Sequence, residues 1–549
     1  ELVWPPVATA ATLAPAEIGQ GIAYKLAWVV RGTFGEADGR YEALVDATDG
    51  TVLALEDTRQ FVATTRTIEG GVLPVSNDGI NPDGIEQPDW PMPFSNVSTP
   101  GGVVTTDVGG NLPVCVDGSI SSSLSGPFMV MSDNCGAVNL SGTGSLDFGV
   151  SAGTDCVTPG VGGAGNTHAS RTGFFELNQL KSMSRGQLPN NLWLLDPLTA
   201  NMNITPAVCN AFWDGSSVNF YRSGGGCFNT GELAGVFDHE WGHGMDNNDA
   251  NPSISNPGEG IADIYASLRL DDSCIGRHFT AGNCGGYGNP CTSCTGIREI
   301  DWAKHTANTP LTLANADATC GGGPAPCGGI VHCEGQVYSQ AVWDLWNRDL
   351  VGAPLNLSLD VAREIATQLT YRGASNVSSW YSCTNGTGGC GNPNGCGCVA
   401  TTGYMNYRVA DDDNGNLADG TPHMGAIFAA FNRHGIACTV PTVTTAGCSP
   451  MPTEVPVVTP TVLDRGVALS WTASTGASSY RVYRSQGVFA CSFGKELVAT
   501  VTGTTYIDQG LKNGHDYYYQ VVPMGAVDEC FAVASACTNV TPAAGANVS

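Results

Sequence analysis

The chain has 549 residues and a formal charge of −27, from 23 Lys and Arg residues against 50 Asp and Glu residues. Its hydrophobic fraction of 42% excludes a wholly disordered protein, which would combine low hydrophobicity with high charge. The acidic balance argues against a nucleic-acid partner, because phosphate binding requires clustered Lys and Arg side chains. No apolar run reaches the roughly 18 residues of a transmembrane helix, so we expect no transmembrane segment.

The chain contains 21 cysteines, a content typical of disulfide-bonded proteins in an oxidising compartment. We therefore expect a secreted, extracellular protein, with association to a cell surface as a further option. Cys291 and Cys294, like Cys396 and Cys398, have spacings that zinc and redox sites also use, but the absence of a second well-spaced pair favours disulfides. Because the chain starts at Glu1 rather than at a methionine, we expect a processed form.

The first zone of the chain, residues 1–65, predicts a small β unit. Ile22–Val30 and Tyr41–Leu55 alternate between apolar and polar residues in the manner of paired strands. The dipeptide Asp49-Gly50 supplies a turn signal within the second of these segments.

The middle of the chain changes character near residue 166. Residues 66–165 are rich in Gly, Ser, Thr and Val, include strand-like runs such as Gly126–Met131, and predict a β-rich lobe. Residues 166–440 carry apolar side chains at helical spacing and predict a helical lobe. The segments with this periodicity are Phe174–Met183, Glu232–Met245, Gly258–Leu268, Gln336–Leu350 and Met424–Phe431.

The end of the chain predicts an all-β domain over residues 461–549, after a linker rich in Pro and Thr at 441–460. The expected strands are Val467–Trp471, Ser479–Arg484, Thr505–Ile507 and Tyr517–Val522. A tryptophan on an early strand and a run of tyrosines on a late one resemble a fibronectin type III sandwich. Cys491, Cys530 and Cys537 are expected to add disulfides to it.

The strongest chemical signal is His239-Glu240-Trp241-Gly242-His243. Helix positions four apart share a face, so both imidazoles can bind one ion, with Glu240 beside them as a general base. Asn229 is predicted as the N-cap of this helix and Glu232 as its capping-box partner. The alternative is a helix that carries two incidental histidines.

A catalytic zinc site requires a third protein ligand, and Glu259 is the favoured candidate. Asn256 is predicted as the N-cap of a second helix, with Pro257 at its first position. Asp263 follows Glu259 by four residues on the same face, where it can accept the outer N–H of a histidine ligand. In the alternative interpretation, Glu259 only caps this helix and Asp263 is a solvated charge.

The other candidate for the third ligand is Asp249. It follows His243 by six residues, a spacing that resembles the metzincin arrangement. That arrangement requires a glycine at position 246, where the chain must turn sharply. The chain has Asp246 there, so we favour Glu259 over Asp249.

The order HEWGH and then GEGIAD resembles the gluzincin clan, specifically the secreted thermolysin-like and fungalysin-like endopeptidases. The resemblance covers roughly residues 166–440, and it implies that His239, His243 and Glu259 bind Zn²⁺. It also implies that His332, in the phrase Gly329–Gln336, stabilises the transition state. The later segment Ala410–Phe431 is similar to the end of the catalytic domain in bacterial relatives.

The resemblance extends to Ala23–Asp57, which is similar to the end of the PepSY-type pro-domain of such enzymes; an ordinary β-hairpin module is the alternative. One departure concerns the tyrosine that these enzymes place between the second histidine and the glutamate ligand. Residues 244–258 contain no tyrosine. The second oxyanion donor is therefore unassigned, and Tyr338 is a substitute candidate.

An oxygen-rich segment near residue 415 can be interpreted as a Ca²⁺ site or as a solvated acidic turn. It lacks the glycine and glutamate that an EF-hand loop requires. The residues concerned are Asp411, Asp412, Asp413, Asn414, Asn416 and Asp419. His423 and His434, which flank the following helix, are expected to be structural.

These observations predict an α+β multidomain protein: a thermolysin-like two-lobed metalloprotease with a β-rich N-lobe and a helical C-lobe, plus a C-terminal fibronectin III-like sandwich. The expected function is a secreted zinc endopeptidase that acts on peptide or protein substrates, in which Glu240 is the general base and His332 donates to the oxyanion. One alternative is an extracellular structural or fibre-forming surface protein that retains this fold and self-associates through its terminal domains. A zinc aminopeptidase of the same clan is another, but the upstream exopeptidase motif that it requires is absent.

Overall fold

The computed structural model describes residues 2–3, 6–8, 22–24, 26–34, 39–57, 66–113, 116–152, 155–249, 256–282, 291–320, 331–374, 380, 398, 403–488 and 490–545. The chain divides into two compact units, Glu1–Thr64 and Thr65–Ser549. Taken together, the described residues form a mixed α/β multidomain protein with several separate sheets.

The first unit contains strands β1 to β6. Their bounds are Leu2–Val3, Pro6–Ala8, Ile22–Tyr24, Ala27–Phe34, Gly39–Asp46 and Val52–Asp57. An antiparallel sheet has the order β1-β4-β5-β6, and β2 pairs with β3. The predicted turn at Asp49-Gly50 joins β5 to β6, and Gly50 has the positive φ of +75° that such a turn favours in glycine. The prediction of paired strands is thus confirmed.

The second unit begins with strands β7 to β14. Their bounds are Ile68–Val72, Gln87–Pro91, Asn96–Thr99, Gly102–Thr105, Ile120–Ser122, Met129–Asp133, Leu140–Gly142 and Leu146–Asp147. Seven of them form two small sheets, ordered β14-β7-β8 and β10-β9-β11-β13. The described part of residues 66–165 contains no α-helix, in agreement with the β-rich composition of this zone.

The remaining strand, β12, belongs to a sheet that the sequence pattern did not predict. Strand β15 (Leu198–Ile204) pairs in parallel with β12 on one side and with β17 (Ser217–Tyr221) on the other. Strand β16 (Ala211–Trp213) pairs antiparallel with β17 and closes the order β12-β15-β17-β16. Among the described strands, β16 is therefore an edge strand.

Nine α-helices lie in the described part of this unit. Helices α1 to α9 are His168–Gln187, Ala234–Asn247, Asn256–Leu270, Ala316–Cys320, Val331–Glu334, Gln336–Asp344, Leu359–Gly373, Tyr404–Ala410 and Met424–Arg433. Four of the five predicted helical segments fall within α1, α2, α3 and α9 or within two residues of their ends. The fifth, Gln336–Leu350, differs, because α6 ends at Asp344 and a π-helical turn, Leu345–Asp349, follows it.

The predicted capping box of α2 is wrong. The Asn229 side chain accepts a hydrogen bond from the Gly231 N–H at 2.9 Å and so caps a 3₁₀ turn, Thr230–Glu232, that precedes the helix. The Glu232 carboxylate is buried and accepts a hydrogen bond from the Asn77 side chain instead. Helix α2 begins after Leu233 without a side-chain cap, since tertiary contacts bury its first turn.

Helices α2 and α3 pack against each other closely, and Gly242 makes this approach possible. A Cβ atom at Gly242 would lie 2.8 Å from the Cα atom of Ala262 on α3. Any larger residue would therefore push the two helices apart. Because α3 also carries Glu259, the glycine of HEWGH allows the predicted third ligand to lie close to the histidines.

The C-terminal part of the chain is an antiparallel sandwich of seven strands. The short strands β18 (Cys274–Ile275) and β19 (Arg298–Glu299) pair within the helical part of the unit. Strands β20 to β26 are Val458–Leu463, Gly466–Trp471, Ser479–Gln486, Glu496–Val501, Thr505–Gln509, Tyr517–Met524 and Thr538–Val540. The two sheets have the orders β20-β21-β24 and β23-β22-β25-β26. All four predicted strands are confirmed. The predicted linker, residues 441–460, is too long at its end, because β20 begins at Val458.

The sandwich core contains the aromatic residues that the sequence singled out. Trp471 is buried, and Tyr517 and Tyr519 are buried completely between the sheets. Tyr518 projects from the other face of the same strand, as the two-residue period requires.

Seven disulfides lie within the described residues. They join Cys135 to Cys156, Cys209 to Cys227, Cys274 to Cys294, Cys320 to Cys333, Cys398 to Cys438, Cys448 to Cys530 and Cys491 to Cys537. The expected disulfides are thus confirmed for the cysteines in these seven bonds, including those of the sandwich, whereas Cys396 lies outside the described residues. Cys294 and Cys398 bond to distant partners rather than to their near neighbours in sequence. Where the structure describes the helices, none is long and apolar enough to cross a membrane.

Candidate metal centre

Helix α2 presents His239 and His243 on one face, as the four-residue spacing predicts. Their Nε2 atoms lie 3.2 Å apart. His239 is buried, and His243 is half-buried. Two imidazole nitrogens at this separation can both bind one ion.

Helix α3 brings the Glu259 carboxylate to the same point. Its Oε2 atom lies 3.4 Å from His239 Nε2 and 3.7 Å from His243 Nε2. This oxygen is buried and makes no well-formed hydrogen bond. One ligand atom from each of the three residues lies within 4.8 Å of the others, and Asp249 is not part of the group. The geometry therefore places Glu259, and not Asp249, beside the histidines.

Asp263 lies behind His239, where the sequence predicted it. Its Oδ1 atom is 3.0 Å from His239 Nδ1, and its Oδ2 atom accepts a hydrogen bond of 2.7 Å from Arg298 Nε. Burial alone would raise the pKa of Asp263. The charge of Arg298 and the hydrogen bond to His239 outweigh burial and keep this pKa below its usual value. An ionised Asp263 accepts the proton on His239 Nδ1, so this ring would bind a metal through Nε2, with release of any proton held there.

Glu240 lies next to the histidines and lines the same cleft. Burial raises the pKa of its carboxyl group to about 7, against the opposing effect of the nearby His239. A carboxyl group of this kind can accept and release a proton near neutral pH, as a general base must.

The cleft in front of these residues has a volume of about 380 Å³. It is lined by Asn210, Ala211, Phe212, Trp213, Val236, His239, Glu240, His243, Asn247, Glu259, Phe279, Ile297, Arg298 and His332. Edge strand β16 forms one wall, and the apolar side chains of Val236, Phe279 and Ile297 form another part.

His332, at the second position of α5, also reaches this cleft. Its Nε2 atom lies 3.5 Å from Glu259 Oε1, and its side chain is 37% exposed. The structure therefore places His332 beside Glu259, near one carboxylate oxygen, while the other oxygen lies near His239 and His243. It can approach a substrate group that binds at this point.

Tyr338 does not fit the role of second oxyanion donor. Its side chain is fully buried, and its hydroxyl lies 2.5 Å from the Tyr407 hydroxyl. It does not line the cleft. Helix α6 turns this residue into the helical core, so this sequence-based candidate is wrong.

The acidic segment near residue 415 satisfies much of its own hydrogen bonding. Asp411 is buried and accepts hydrogen bonds from Thr421 and His423. Asp412 Oδ1 accepts from the backbone amides of the loop that follows it. The side chains of Asn414 and Asn416 both donate to Asp419 Oδ2, and no three acids of the described loop meet within 4.8 Å. The Ca²⁺ site remains a prediction.

The two histidines expected to be structural have structural partners. His423 Nδ1 lies 2.7 Å from Asp411 Oδ1. His434 Nδ1 lies 2.6 Å from the Leu311 carbonyl oxygen, and its Nε2 atom lies 3.2 Å from Asp344. Both rings are buried in these contacts.

Several residues of the site were missed in the sequence. Arg298 follows Asp263 by 35 positions and lies in no recognisable motif. Strand β16 is three residues long, too short for a periodic pattern. Asn247 follows His243 by four residues and so shares the ligand face of α2, a spacing that could have identified it.

Comparisons with known proteins give partial likenesses. No protein-family model matches the chain. A 63-residue stretch is 44% identical to chitinase 63 of Streptomyces plicatus and covers 11% of this chain but only 9% of that protein. A fibronectin III-like protein of Clostridium thermocellum is 31% identical over 16% of this chain and 95% of its own, with a TM-score of 0.14. A fibronectin III domain of human contactin 1 is 13% identical over 21% of this chain and 97% of its own, with a TM-score of 0.17.

The C-terminal domain is fibronectin type III-like. This assignment rests on its strand order, in which a three-stranded sheet of β20, β21 and β24 faces a four-stranded sheet of β23, β22, β25 and β26. The expected resemblance is therefore confirmed for this domain. A fold of this kind does not by itself identify a ligand.

Proposed function

We propose that this protein is a secreted zinc-dependent endopeptidase of the thermolysin-like type. The observation that carries the proposal is the convergence of His239, His243 and Glu259 on one point at the wall of a cleft. In this proposal, residues 66–440 supply the two lobes of the enzyme, and the unit at the N-terminus is related to a pro-domain. The sheet β12-β15-β17-β16 spans residue 165, so the boundary between the lobes lies after this sheet rather than at residue 165.

The donor set fits zinc. Two imidazole nitrogens and one carboxylate oxygen form a common protein ligand set of catalytic zinc, which leaves a further position open. Glu259 Oε2 is buried and lacks a well-formed hydrogen bond, with the Arg298 guanidinium nitrogen 3.7 Å away. A cation between this oxygen and the histidines would give it a direct partner. Asp263 orients His239 from behind, as partners of metal-binding histidines generally do.

Zinc in such a site supplies a Lewis acid, which polarises a substrate carbonyl and makes a water molecule more acidic. The residues of this chain carry out the proton transfers. Glu240 accepts the proton of the attacking water and later delivers it to the leaving amine. His332, beside Glu259, donates a hydrogen bond to the oxyanion that develops on the substrate.

Strand β16 supports a peptide as the substrate. One side of β16 pairs with β17, while its residues Ala211, Phe212 and Trp213 line the cleft. An extended peptide can add to such an edge through main-chain hydrogen bonds, which explains how a chain of varied sequence could be held. The apolar residues opposite would accept a side chain of the peptide.

The test combines metal analysis with a protease assay. The purified full-length chain is expected to contain one zinc ion and to cleave a denatured protein in its interior. A zinc-selective chelator should abolish the cleavage, and added zinc should restore it. If the zinc-loaded protein cleaves neither denatured proteins nor peptide libraries, the proposed activity is wrong and a structural role becomes the better explanation.

A further inference from the structure

One loop of the fibronectin-like domain contacts the end of a metal-binding helix. This loop, residues 490–495, is the part of the connection between β22 and β23 that immediately precedes β23. The backbone N–H of Gly494 donates a hydrogen bond of 2.9 Å to the carbonyl oxygen of Arg269, in the last turn of α3. The Phe493 ring centroid lies 5.1 Å from the Arg269 guanidinium carbon. Phe493 and Arg269 are both buried by this contact.

The guanidinium of Arg269 connects three helices. Its Nε atom lies 2.9 Å from both carboxylate oxygens of Asp238 on α2. Its Nη2 atom donates at 2.7 Å to Glu176, and its Nη1 atom donates at 3.0 Å to Gln179, both on α1. Every side chain in this cluster is buried. The stability of buried charges such as these depends on good hydrogen-bond geometry, because an imperfect contact leaves a buried charge uncompensated.

This cluster shares two helices with the candidate metal ligands. Asp238 immediately precedes His239, and α3 carries Glu259 and Asp263 in the turns before Arg269. Arg269 therefore links the two helices on which all three candidate ligands lie.

The loop that covers Arg269 is itself held in place. Cys491 is joined by a disulfide to Cys537 at the start of β26. Arg363 on α7 donates a hydrogen bond of 2.5 Å to the Ser492 carbonyl oxygen. Gly494 has a φ of +57°, and a Cβ atom there would lie 3.1 Å from Gln179 Oε1. The loop thus reaches the cluster in a defined conformation that favours glycine.

We propose that the fibronectin-like domain positions the metal-binding helices, and that Phe493 and Gly494 act as positioning residues through Arg269. The inference rests on the proposed metal centre. It assigns to this domain a part in metal binding, in addition to any contribution to global stability. Phe493 excludes water from the Arg269 cluster, and Gly494 fixes the end of α3.

The experiment compares two phenylalanines of the same domain. Phe493→Ala in the full-length chain is expected to raise the zinc dissociation constant about tenfold or more. Tenfold is the lower end of the loss in metal affinity that follows when a hydrogen-bond partner of a metal ligand is mutated. Phe531→Ala is the matched control, since Phe531 is equally buried and its ring centroid lies 4.7 Å from the guanidinium carbon of Arg481. Phe531 has no contact with the Arg269 cluster in the described structure, so its variant should change the zinc constant less than threefold. Zinc affinity is measured by competition with a chromophoric chelator.

Two milder variants guard against loss of folding. Phe493→Leu keeps an apolar cover but removes the aromatic face, and Gly494→Ala strains the loop. Both should weaken zinc binding while circular dichroism shows a folded protein. Equal weakening by Phe493→Ala and Phe531→Ala, or no weakening by any Phe493 or Gly494 variant, would overturn the inference and leave the proposed enzyme intact. A wild-type protein that binds no zinc would instead refute the metal centre, and this inference with it.

Discussion

His239 and Asp263 lie 24 residues apart, yet the Nδ1 atom of one is 3.0 Å from a carboxylate oxygen of the other. Arg298 holds the second oxygen of the same carboxylate at 2.7 Å. This chain of contacts fixes the orientation of the imidazole before any metal binds. If His239 binds a metal ion, a ring held in this way loses less conformational freedom than a free side chain would.

Asp263→Asn should therefore weaken zinc binding about 10–100-fold, because the neutral amide accepts the His239 proton less well and leaves Arg298 without its charge partner. Asp272→Asn serves as the control, since Asp272 pairs with Arg277 outside the candidate metal-binding cleft. Competition with a chelator measures both variants. Equal zinc affinities for the two variants would contradict the positioning role of Asp263.

The identity of the third ligand can be tested directly. Glu259→Ala should release zinc, because only two protein ligands remain. Asp249→Ala should keep it, because Asp249 is outside the ligand group. Metal content after dialysis is measured by atomic spectroscopy. Zinc loss from the Asp249 variant alone would favour the metzincin arrangement instead.

Glu240→Gln separates metal binding from catalysis. The substitution keeps the size of the side chain and removes its ability to accept a proton. We expect zinc to stay bound while peptide hydrolysis falls at least 10²-fold, within the roughly 10²–10⁴-fold range of general acid–base catalysis. Cleavage of a denatured protein at the wild-type rate would show that Glu240 is not the base.

His332→Ala should reduce kcat more than it changes KM, because the hydrogen bond to the oxyanion strengthens as the transition state forms. The loss is expected to be smaller than that of Glu240→Gln. Steady-state kinetics on a peptide substrate gives both constants. A large rise in KM with unchanged kcat would identify His332 as a residue that binds the ground state of the substrate.

Stability should depend on pH through His515, a residue of the fibronectin-like domain. Its ring lies 5.4 Å from the Trp90 ring, and its Nε2 atom is buried without a hydrogen-bond partner. Burial, with the charge of Lys512 adding to it and that of Asp516 opposing it, lowers the pKa of His515 to about 4.

Between pH 6.5 and about 4, the unfolded chain therefore binds a proton at this histidine that the folded chain does not. The free energy of unfolding should fall over this window as the pH falls, by up to about 3 kcal/mol. Chemical denaturation of wild type and His515→Phe at a series of pH values measures the difference. Identical pH profiles for the two proteins would show that His515 does not contribute.

Local sequence patterns predicted the elements that depend on near neighbours. The apolar spacing of Phe174–Met183 anticipates a helix that lies within α1, and the alternation around Trp471 anticipates strand β21. The capping box at Asn229 and Glu232 failed for a tertiary reason. Asn77, which lies 155 residues before Glu232, provides a hydrogen-bond donor for that carboxylate and removes it from the helix end.

The sequence by itself determined the pair His239 and His243 with Glu240 between them, because a helical period places residues four apart on one face. It also identified Glu259 and Asp263, since the same period applies to the next helix. These features are decided within a few turns of the chain, where local geometry is enough.

Only the tertiary structure decided what surrounds that motif. The approach of Arg298 to Asp263, the position of β16 along the cleft and the contact of Phe493 with Arg269 all join residues far apart in sequence. Such contacts follow from how whole elements pack, and packing depends on the combined burial of many side chains rather than on any short pattern. For this reason a motif predicts its own helix but not the partners that position it.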